Sequence, residues 1–98
     1  MTRVSLEFHP EAVFEARAAR QWYAERSPLA AAVFMEEIER ATKMIVGAPD
    51  RWPGFLHGTR RYLLRRFPFS VIYRVSETSV QVVAVAHAKR RPGYWKTR

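Results

Sequence analysis

The sequence contains no cysteine among its 98 residues. A disulfide framework and a cysteine-ligated metal site are therefore excluded. The chain also lacks any apolar run near the roughly 20 residues that span a bilayer. Its opening residues, MTRVSLEFHP, have no apolar core of the kind found in signal peptides. These absences fit a protein of a reducing compartment such as the cytoplasm, and they offer no membrane anchor.

Metal ligands and phosphate-binding loops are scarce as well. The three histidines, His9, His57 and His87, are scattered along the chain, and no two of them share helical i, i+4 spacing. The acids of residues 36–39 fall on one predicted helix face without a convergent partner. No glycine-rich phosphate loop is present. The sequence therefore predicts no metal site and no cofactor, and it argues against carboxylate-based hydrolysis.

Acidic residues are nearly missing from the second half of the chain. Residues 1–50 contain six Lys/Arg and eight Asp/Glu, a net charge of −2, whereas residues 51–98 contain eleven Lys/Arg and only Glu77, a net charge of +10. A basic half of this kind attracts a phosphate backbone or an acidic protein partner. A solvated basic surface without a partner is the plainer interpretation.

The first half of the chain has helical spacing after one short strand. Residues 3–8 alternate polar and apolar side chains, which predicts a half-buried strand. Pro10 suits the first turn of a helix over 11–26, and Ser27 suits the cap of a second helix over 28–46. Each helix has an apolar stripe at spacings of three and four. The stripes consist of Ala12, Ala16, Ala19 and Tyr23 in the first helix and of Phe34, Ile38, Ala41 and Ile45 in the second.

The charged residues of the first predicted helix lie at spacings that allow pairing along its surface. We expect a solvated face on which arginines pair with acids of the same helix. The arginines are Arg17, Arg20 and Arg26, and the acids are Glu11, Glu15 and Glu25.

The second half changes from helical to strand spacing after a loop, residues 48–59, that Trp52 and Phe55 are expected to pin. The predicted strands are residues 60–66, 69–75 and 80–87. Their short connections predict an antiparallel meander. The order β-α-α-β-β-β indicates a single α+β domain over residues 1–98, in which the N-terminal strand and a helical hairpin pack on a twisted antiparallel sheet. We expect the other face to be partly open and lined by basic residues, and the tail after the last strand to be too basic and too short to form a further core element.

Cationic side chains concentrate at the ends of the predicted strands. In a meander the end of the second strand lies at the same edge as the end of the fourth, so we expect Arg65 and Arg66 to lie near His87. Further cations and two aromatic residues follow directly in the sequence. The candidate residues for binding a target or a nucleic acid are Arg60, Arg61, Arg65, Arg66, Lys89, Arg90, Arg91 and Trp95.

RNA cleavage is one chemistry that these residue types would support. Attack by a 2′-hydroxyl requires a base, cations that stabilise the charge developing at phosphorus, and an acid for the leaving oxygen. Histidine titrates near neutral pH, and arginine binds phosphate through paired N–H groups. Aromatic rings stack on unpaired bases. The candidate catalytic residues of such a ribonuclease are Arg61, Arg65, His87, Arg90 and Tyr94.

Each candidate also has a plainer structural interpretation. At a strand end, His87 suits a hydrogen-bonded or capping residue. Arginines after a strand keep its end soluble. Tyr94 and Trp95 suit packing of the tail onto the sheet. The residue types alone fit both interpretations.

Almost the whole chain resembles the RelE/ParE superfamily of bacterial toxins. The segments that carry the resemblance are WYAERSP, the next helix with its Gly-x-Pro end, RRYLLRRFPFSVIYRV and VQVVAVAHAKRRPGYW. The resemblance implies an α+β toxin of a type II toxin–antitoxin system in the cytoplasm, with roles in growth inhibition and plasmid stabilisation. It also implies inhibition by an antitoxin, whose acidic, partly disordered segment wraps around the toxin in a hetero-oligomer.

The superfamily has two functional branches, and the basic residues bear on which one fits. RelE-like members cleave mRNA in the ribosome with basic residues on the sheet, whereas ParE-like members poison DNA gyrase. Arg61 and Arg90 match the RelE-like pattern, and Tyr94 suits its C-terminal tyrosine. Leu63 and Ser70 stand where further cations belong. The resemblance therefore favours a gyrase inhibitor over an endoribonuclease, and a non-catalytic basic binding module is the third alternative.

Overall fold

Two helices follow the first strand, as the spacing predicts. In the computed structural model, which describes residues 4–98, helix α1 spans Pro10–Ala24 and helix α2 spans Pro28–Gly47. The side chains of His9 and Ser27 each accept a hydrogen bond from a backbone N–H of the turn that follows. These bonds occupy donors that have no partner within the helix itself. The cap at Ser27 is confirmed, and the cap at His9 is an addition.

The sheet described in residues 4–98 has four strands in the order β1-β4-β3-β2. Their bounds are Ser5–Phe8 for β1, Arg60–Leu63 for β2, Phe69–Val75 for β3 and Ser79–His87 for β4. The antiparallel meander of β2, β3 and β4 is confirmed. Strand β1 pairs with β4 in parallel, so the sheet is mixed rather than wholly antiparallel. Arg3, which belongs to the first predicted strand, lies outside the described residues.

Strand β2 ends three residues earlier than predicted. Leu63 is its last residue, and the chain then turns toward helix α2. The N–H groups of Arg65 and Arg66 donate to the Glu37 carboxylate at 3.1 and 3.3 Å. Because these donors are bonded to α2, they do not continue the ladder with β3.

The helical hairpin covers one face of the sheet, and the predicted stripes form its core. All the stripe residues of α2 are buried, and so are the three alanines of α1. Tyr23 is half-buried and packs in an aromatic cluster with Phe34, Phe67 and Phe69, with ring centroids 4.9 to 6.4 Å from its own. Small residues on α1 let the helix lie close to the sheet, and the aromatic rings fill the end of the hairpin.

A β-bulge in β4 decides which side chains face the helices. Val83 is the extra residue, placed where the register with Ile72 and Tyr73 of β3 shifts. Side chains alternate between faces along a strand, so one extra residue exchanges the faces of those that follow. Val82 and Val85 both belong to the core beneath the hairpin as a result. The last residue of β4 faces the same way.

The C-terminal segment, residues 88–98, covers part of the opposite face of the sheet, and Leu63 on that face stays 62% exposed, so the face is partly open as expected. As expected, the segment forms no helix or strand, but it does contribute to the core: Trp95 is 1% exposed and packs beside Phe55 and Ile72, which confirms the packing interpretation of this residue. A buried indole removes a large apolar area from water. The predicted pinning of the 48–59 loop is confirmed by this contact of Phe55 and by the packing of Trp52 on Tyr62, with ring centroids 5.0 Å apart. No helix in residues 4–98 combines the length and apolar character that a membrane crossing requires.

We expect Phe34→Ala to lower the free energy of unfolding by roughly 3–5 kcal/mol, because it leaves a cavity among packed aromatic rings. Phe14→Ala is the matched control, since Phe14 is 68% exposed and surface changes usually stay within about 0.5 kcal/mol. Urea denaturation followed by circular dichroism measures both. Equal losses in the two variants would contradict this account of the core.

Candidate functional site

An apolar groove of about 520 Å³ runs between helix α1 and the end of strand β4. Phe14, Ala18 and Trp22 form one wall, since they follow each other at i, i+4 and i+8. Phe14 and Trp22 are 68% and 51% exposed. Exposed large apolar side chains at a concave surface mark interaction sites. The groove is lined by Phe14, Glu15, Ala18, Ala19, Trp22, Tyr23, Pro68, Phe69, Val85, His87, Lys89 and Arg90.

Positive charge borders this apolar surface. Lys89 and Arg90 line the groove from the turn after β4, and both are exposed. The Arg26 guanidinium lies over the Trp22 ring at 3.6 Å and donates to the Trp22 carbonyl at 2.8 Å. The groove therefore suits a ligand that combines apolar groups with negative charge.

His87 is held by hydrogen bonding and packing at the end of β4. Its Nδ1 accepts a hydrogen bond from the Lys89 N–H at 3.0 Å, and its ring meets the Phe69 ring edge-on at 4.9 Å between centroids. An imidazole that accepts at Nδ1 carries its proton on Nε2 when neutral. In this tautomer the Nε2–H group is free to donate a hydrogen bond, and the lone pair on Nδ1 already accepts one from the Lys89 N–H. The capping interpretation of His87 fits this geometry, whereas a general base needs a free lone pair.

Glu15 lines the groove and anchors the C-terminal segment. Its carboxylate, 9% exposed, accepts hydrogen bonds from four other residues. The Nη1 and Nη2 groups of Arg98 donate to it at 2.8 and 3.1 Å, Arg90 donates at 3.1 Å and the Tyr94 hydroxyl at 2.7 Å. The Val85 backbone N–H donates at 3.0 Å. We call Glu15, Arg90, Tyr94 and Arg98 the Glu15 cluster.

The prediction that Glu15 pairs with arginines of its own helix is therefore wrong. Within residues 4–98, the ion pair seen among those predicted is Arg26 with Glu25, at 3.8 Å. The position of Glu15 along the helix holds a signal for its different role. It lies three residues after Ala12 and four before Ala19, which are both buried. A carboxylate beside a buried stripe needs hydrogen-bond partners from another element.

Burial raises the pKa of Tyr94, and the hydrogen bond to Glu15 raises it further. The phenol, which is protonated at neutral pH in any case, donates to the carboxylate, and the raised pKa extends its protonated range to more alkaline pH. The Arg90 guanidinium lies 3.7 Å from the centre of the same ring. Tyr94 and Arg90 thus hold the C-terminal segment in place.

Arg60, Arg61 and Trp95 lie away from the groove. Arg60 donates to the Trp52 carbonyl at 2.6 Å and ties the 48–59 loop to β2. Arg61 lies over the Phe55 ring at 4.3 Å, on the face that the C-terminal segment covers. Trp95 has no exposed ring surface on which a base could stack.

Arg65 and Arg66 lie at the same end of the sheet as His87, because Phe69, which follows them, pairs with His87 across β3 and β4. They do not line the groove. Both turn to helix α2, where Arg66 pairs with Glu37 at 3.7 Å. The candidate ribonuclease residues are thus divided among the groove, the α2 side and the far face of the sheet.

The two positions without the expected cations lie opposite each other. Leu63 of β2 is the cross-strand partner of Ser70 of β3. Leu63 is 62% exposed, and Ser70 is buried. One place on the sheet therefore lacks both cations of the RelE-like pattern. In residues 4–98 no three His, Cys, Asp or Glu side chains are grouped to hold a metal ion.

Because the pKa of Tyr94 is raised on folding, its neutral form is favoured in the native state. This stabilisation is present below pH about 10, the ordinary pKa of tyrosine, and is lost as the pH rises above it. We expect Tyr94→Phe to be less stable at pH 7 and to lose less further stability between pH 9 and 11 than the original protein. Urea titrations across this range test it, and parallel curves would contradict the assignment.

Comparison with known proteins agrees with this architecture. A family described as the ParE toxin of the type II toxin–antitoxin system parDE matches residues 6–92. A solved structure titled "Chromosomal ParDE TA system from P. aeruginosa" is similar in fold, with a TM-score of 0.77, 22% identity and coverage of 89% of this chain and 98% of that chain. No match was found among curated proteins. Since the family match spans most of the sequence, the chain belongs to the ParE toxin family of type II toxin–antitoxin systems.

Proposed function

We propose that this toxin inhibits DNA gyrase by binding, and that an antitoxin neutralises it by occupying the apolar groove. The observation that carries the choice of gyrase is the Leu63–Ser70 pair, where cations of an RNA-cleaving toxin would stand. Membership of the ParE family supports the same choice. Gyrase lies in the cytoplasm, which is where the toxin would act.

The division of the other candidate residues also favours binding over cleavage. A ribonuclease must bring a base, an acid and cations to one phosphate. Here the Tyr94 phenol and the Arg90 guanidinium are bonded to Glu15. His87 uses Nδ1 as an acceptor, and Arg61 lies on the far face. These groups are engaged in structural contacts rather than converging on a common point.

The exposed cations give the proposed inhibitor its means of recognition. Lys89, Arg91 and Lys96 are exposed on the C-terminal segment, in the half of the chain that carries a net charge of +10. Positive charge at this density attracts gyrase-bound DNA or an acidic surface of the enzyme.

The groove suits the antitoxin because its two kinds of surface match an acidic segment with apolar side chains. Phe14 and Trp22 offer apolar area, and Lys89 and Arg90 offer positive charge beside it. A segment that is disordered when free gains its order from such a groove. Covering the groove also removes exposed apolar surface from water, which favours a stable complex.

We expect purified toxin to inhibit supercoiling by gyrase and to leave cleaved DNA, because a bound poison stalls the enzyme on its substrate. Induction in cells should then produce an SOS response before translation falls. Primer extension on mRNA from the same cells tests the endoribonuclease alternative. Codon-positioned cuts without DNA damage would refute gyrase as the target. A harmless protein would favour a non-catalytic binding module.

We expect Phe14→Ala and Trp22→Ala each to weaken binding of the antitoxin, taken as the product of the adjacent small gene, by about 2 kcal/mol, the scale of a buried aromatic anchor. Leu29→Ala is the matched control, because Leu29 is 73% exposed but lies outside the groove. Isothermal titration calorimetry measures all three. If Leu29→Ala weakens antitoxin binding as much as the two groove variants do, the groove is not the binding site.

A further inference from the structure

Glu15 belongs to two parts of the molecule at once. It lines the groove, and it bonds to three residues of the C-terminal segment. Arg90 also lines the groove, and its side chain is 53% exposed, whereas that of Arg98 is 12% exposed. Arg90 is therefore the cation of the Glu15 cluster that a ligand in the groove can reach.

The Glu15 cluster also completes the edge of the sheet. Strand β1 ends at Phe8, opposite Val82 of β4, and the outer edge of β4 continues beyond it. There the Val83 carbonyl accepts from Arg98 at 3.1 Å, and the Val85 N–H donates to Glu15 at 3.0 Å. Buried backbone groups need partners. The cluster provides them and in doing so fixes the C-terminal segment to both α1 and β4.

The charges within the cluster are unequal. Glu15 is the one carboxylate among the four residues and bonds the guanidinium groups of both Arg90 and Arg98, while Glu11 acts on Arg98 from outside the cluster. Arg90 uses one N–H group on Glu15 at 3.1 Å, and a guanidinium has five N–H donors. A second anion can therefore bind Arg90 without displacing Glu15.

We propose that Glu15 is a positioning residue that couples the C-terminal segment to the groove. It holds Arg90 beside the groove, so that a ligand with apolar groups and one anionic group is recognised there. An anion at Arg90 in turn fixes residues 88–98 more firmly. This inference rests on the proposed antitoxin groove and names the chemistry of its occupant.

Whether one substitution strengthens or weakens binding of an anionic ligand separates this coupling from simple electrostatics. A carboxylate in the groove repels an anionic ligand, so charge alone predicts that Glu15→Gln strengthens binding. Coupling predicts the opposite, because Arg90 and the segment lose their anchor. Glu39→Gln is the matched control, since it removes a carboxylate from an exposed site on helix α2, outside the groove.

The probe is 1-anilinonaphthalene-8-sulfonate, which joins apolar rings to one anionic group. Uncharged N-phenyl-1-naphthylamine serves as its comparison. We expect Glu15→Gln to weaken sulfonate binding about fivefold or more, with little change for the uncharged dye, and Glu39→Gln to leave both nearly unchanged. Unchanged affinity for the sulfonate in Phe14→Ala and Trp22→Ala would overturn the proposal. Higher affinity in Glu15→Gln would overturn it as well.

Hydrogen exchange on the dye-free protein tests the anchor itself. Loss of hydrogen bonds to a charged group should speed exchange of the Tyr94, Lys96 and Arg98 amides about tenfold in Glu15→Gln, while the β3 and β4 amides keep their protection. Tyr94→Phe, which preserves every charge, should also speed exchange of these amides, but by a smaller factor. Saturating sulfonate should slow them in the original protein. Unchanged exchange in both variants would refute the coupling.

These outcomes are independent of the proposed function. The dye and exchange measurements use the toxin alone, so they fail if the coupling is absent even where the antitoxin binds the groove. Conversely, if Phe14→Ala and Trp22→Ala leave the affinity for the antitoxin unchanged, the groove is not its binding site. The Glu15 anchor is unaffected by that result.

Discussion

The carboxylate of Glu15 holds together parts of the chain that are some 70 to 83 residues apart in sequence. The edge of the sheet depends on this carboxylate because the first strand is short. Because β1 pairs with β4 only as far as Val82, the backbone beyond that point would be left without partners at a buried edge. Glu15 and Arg98 supply those partners. An unprotected strand edge would also invite pairing with another chain.

Anchoring the C-terminal segment has a direct consequence for the sheet. Once the segment is fixed at this edge, Trp95 lies on the face of the sheet away from the helices. Trp95 and Phe55 together cover part of that face. A strand covered on both faces needs apolar side chains at nearly every position. Strand β4, with the sequence SVQVVAVAH, has this composition. The bulge at Val83 distributes its residues between the two cores.

The features that local patterns determine could be predicted from the sequence. Spacing and capping gave both helices, and short connections required the meander. The parallel pairing of β1, the burial of Trp95 and the partners of Glu15 each depend on contacts between distant segments, for which the sequence holds weaker signals. One such signal is the near-continuous apolar run of β4, which indicates two covered faces. The grouping of Lys89 and Arg90 at one end of the sheet was predictable, whereas the groove beside them depends on how α1 packs.

The same contacts that stabilise the fold limit what chemistry the basic residues can perform. A guanidinium paired with a carboxylate, and a phenol that donates its proton to the same carboxylate in a hydrogen bond, are poorly placed for proton transfer but are good structural supports. What remains available is on the surface: the exposed aromatic wall of α1 and the cations of the C-terminal segment. Both surfaces meet at Arg90. A partner that binds there, as proposed, contacts the apolar groove and the C-terminal segment together.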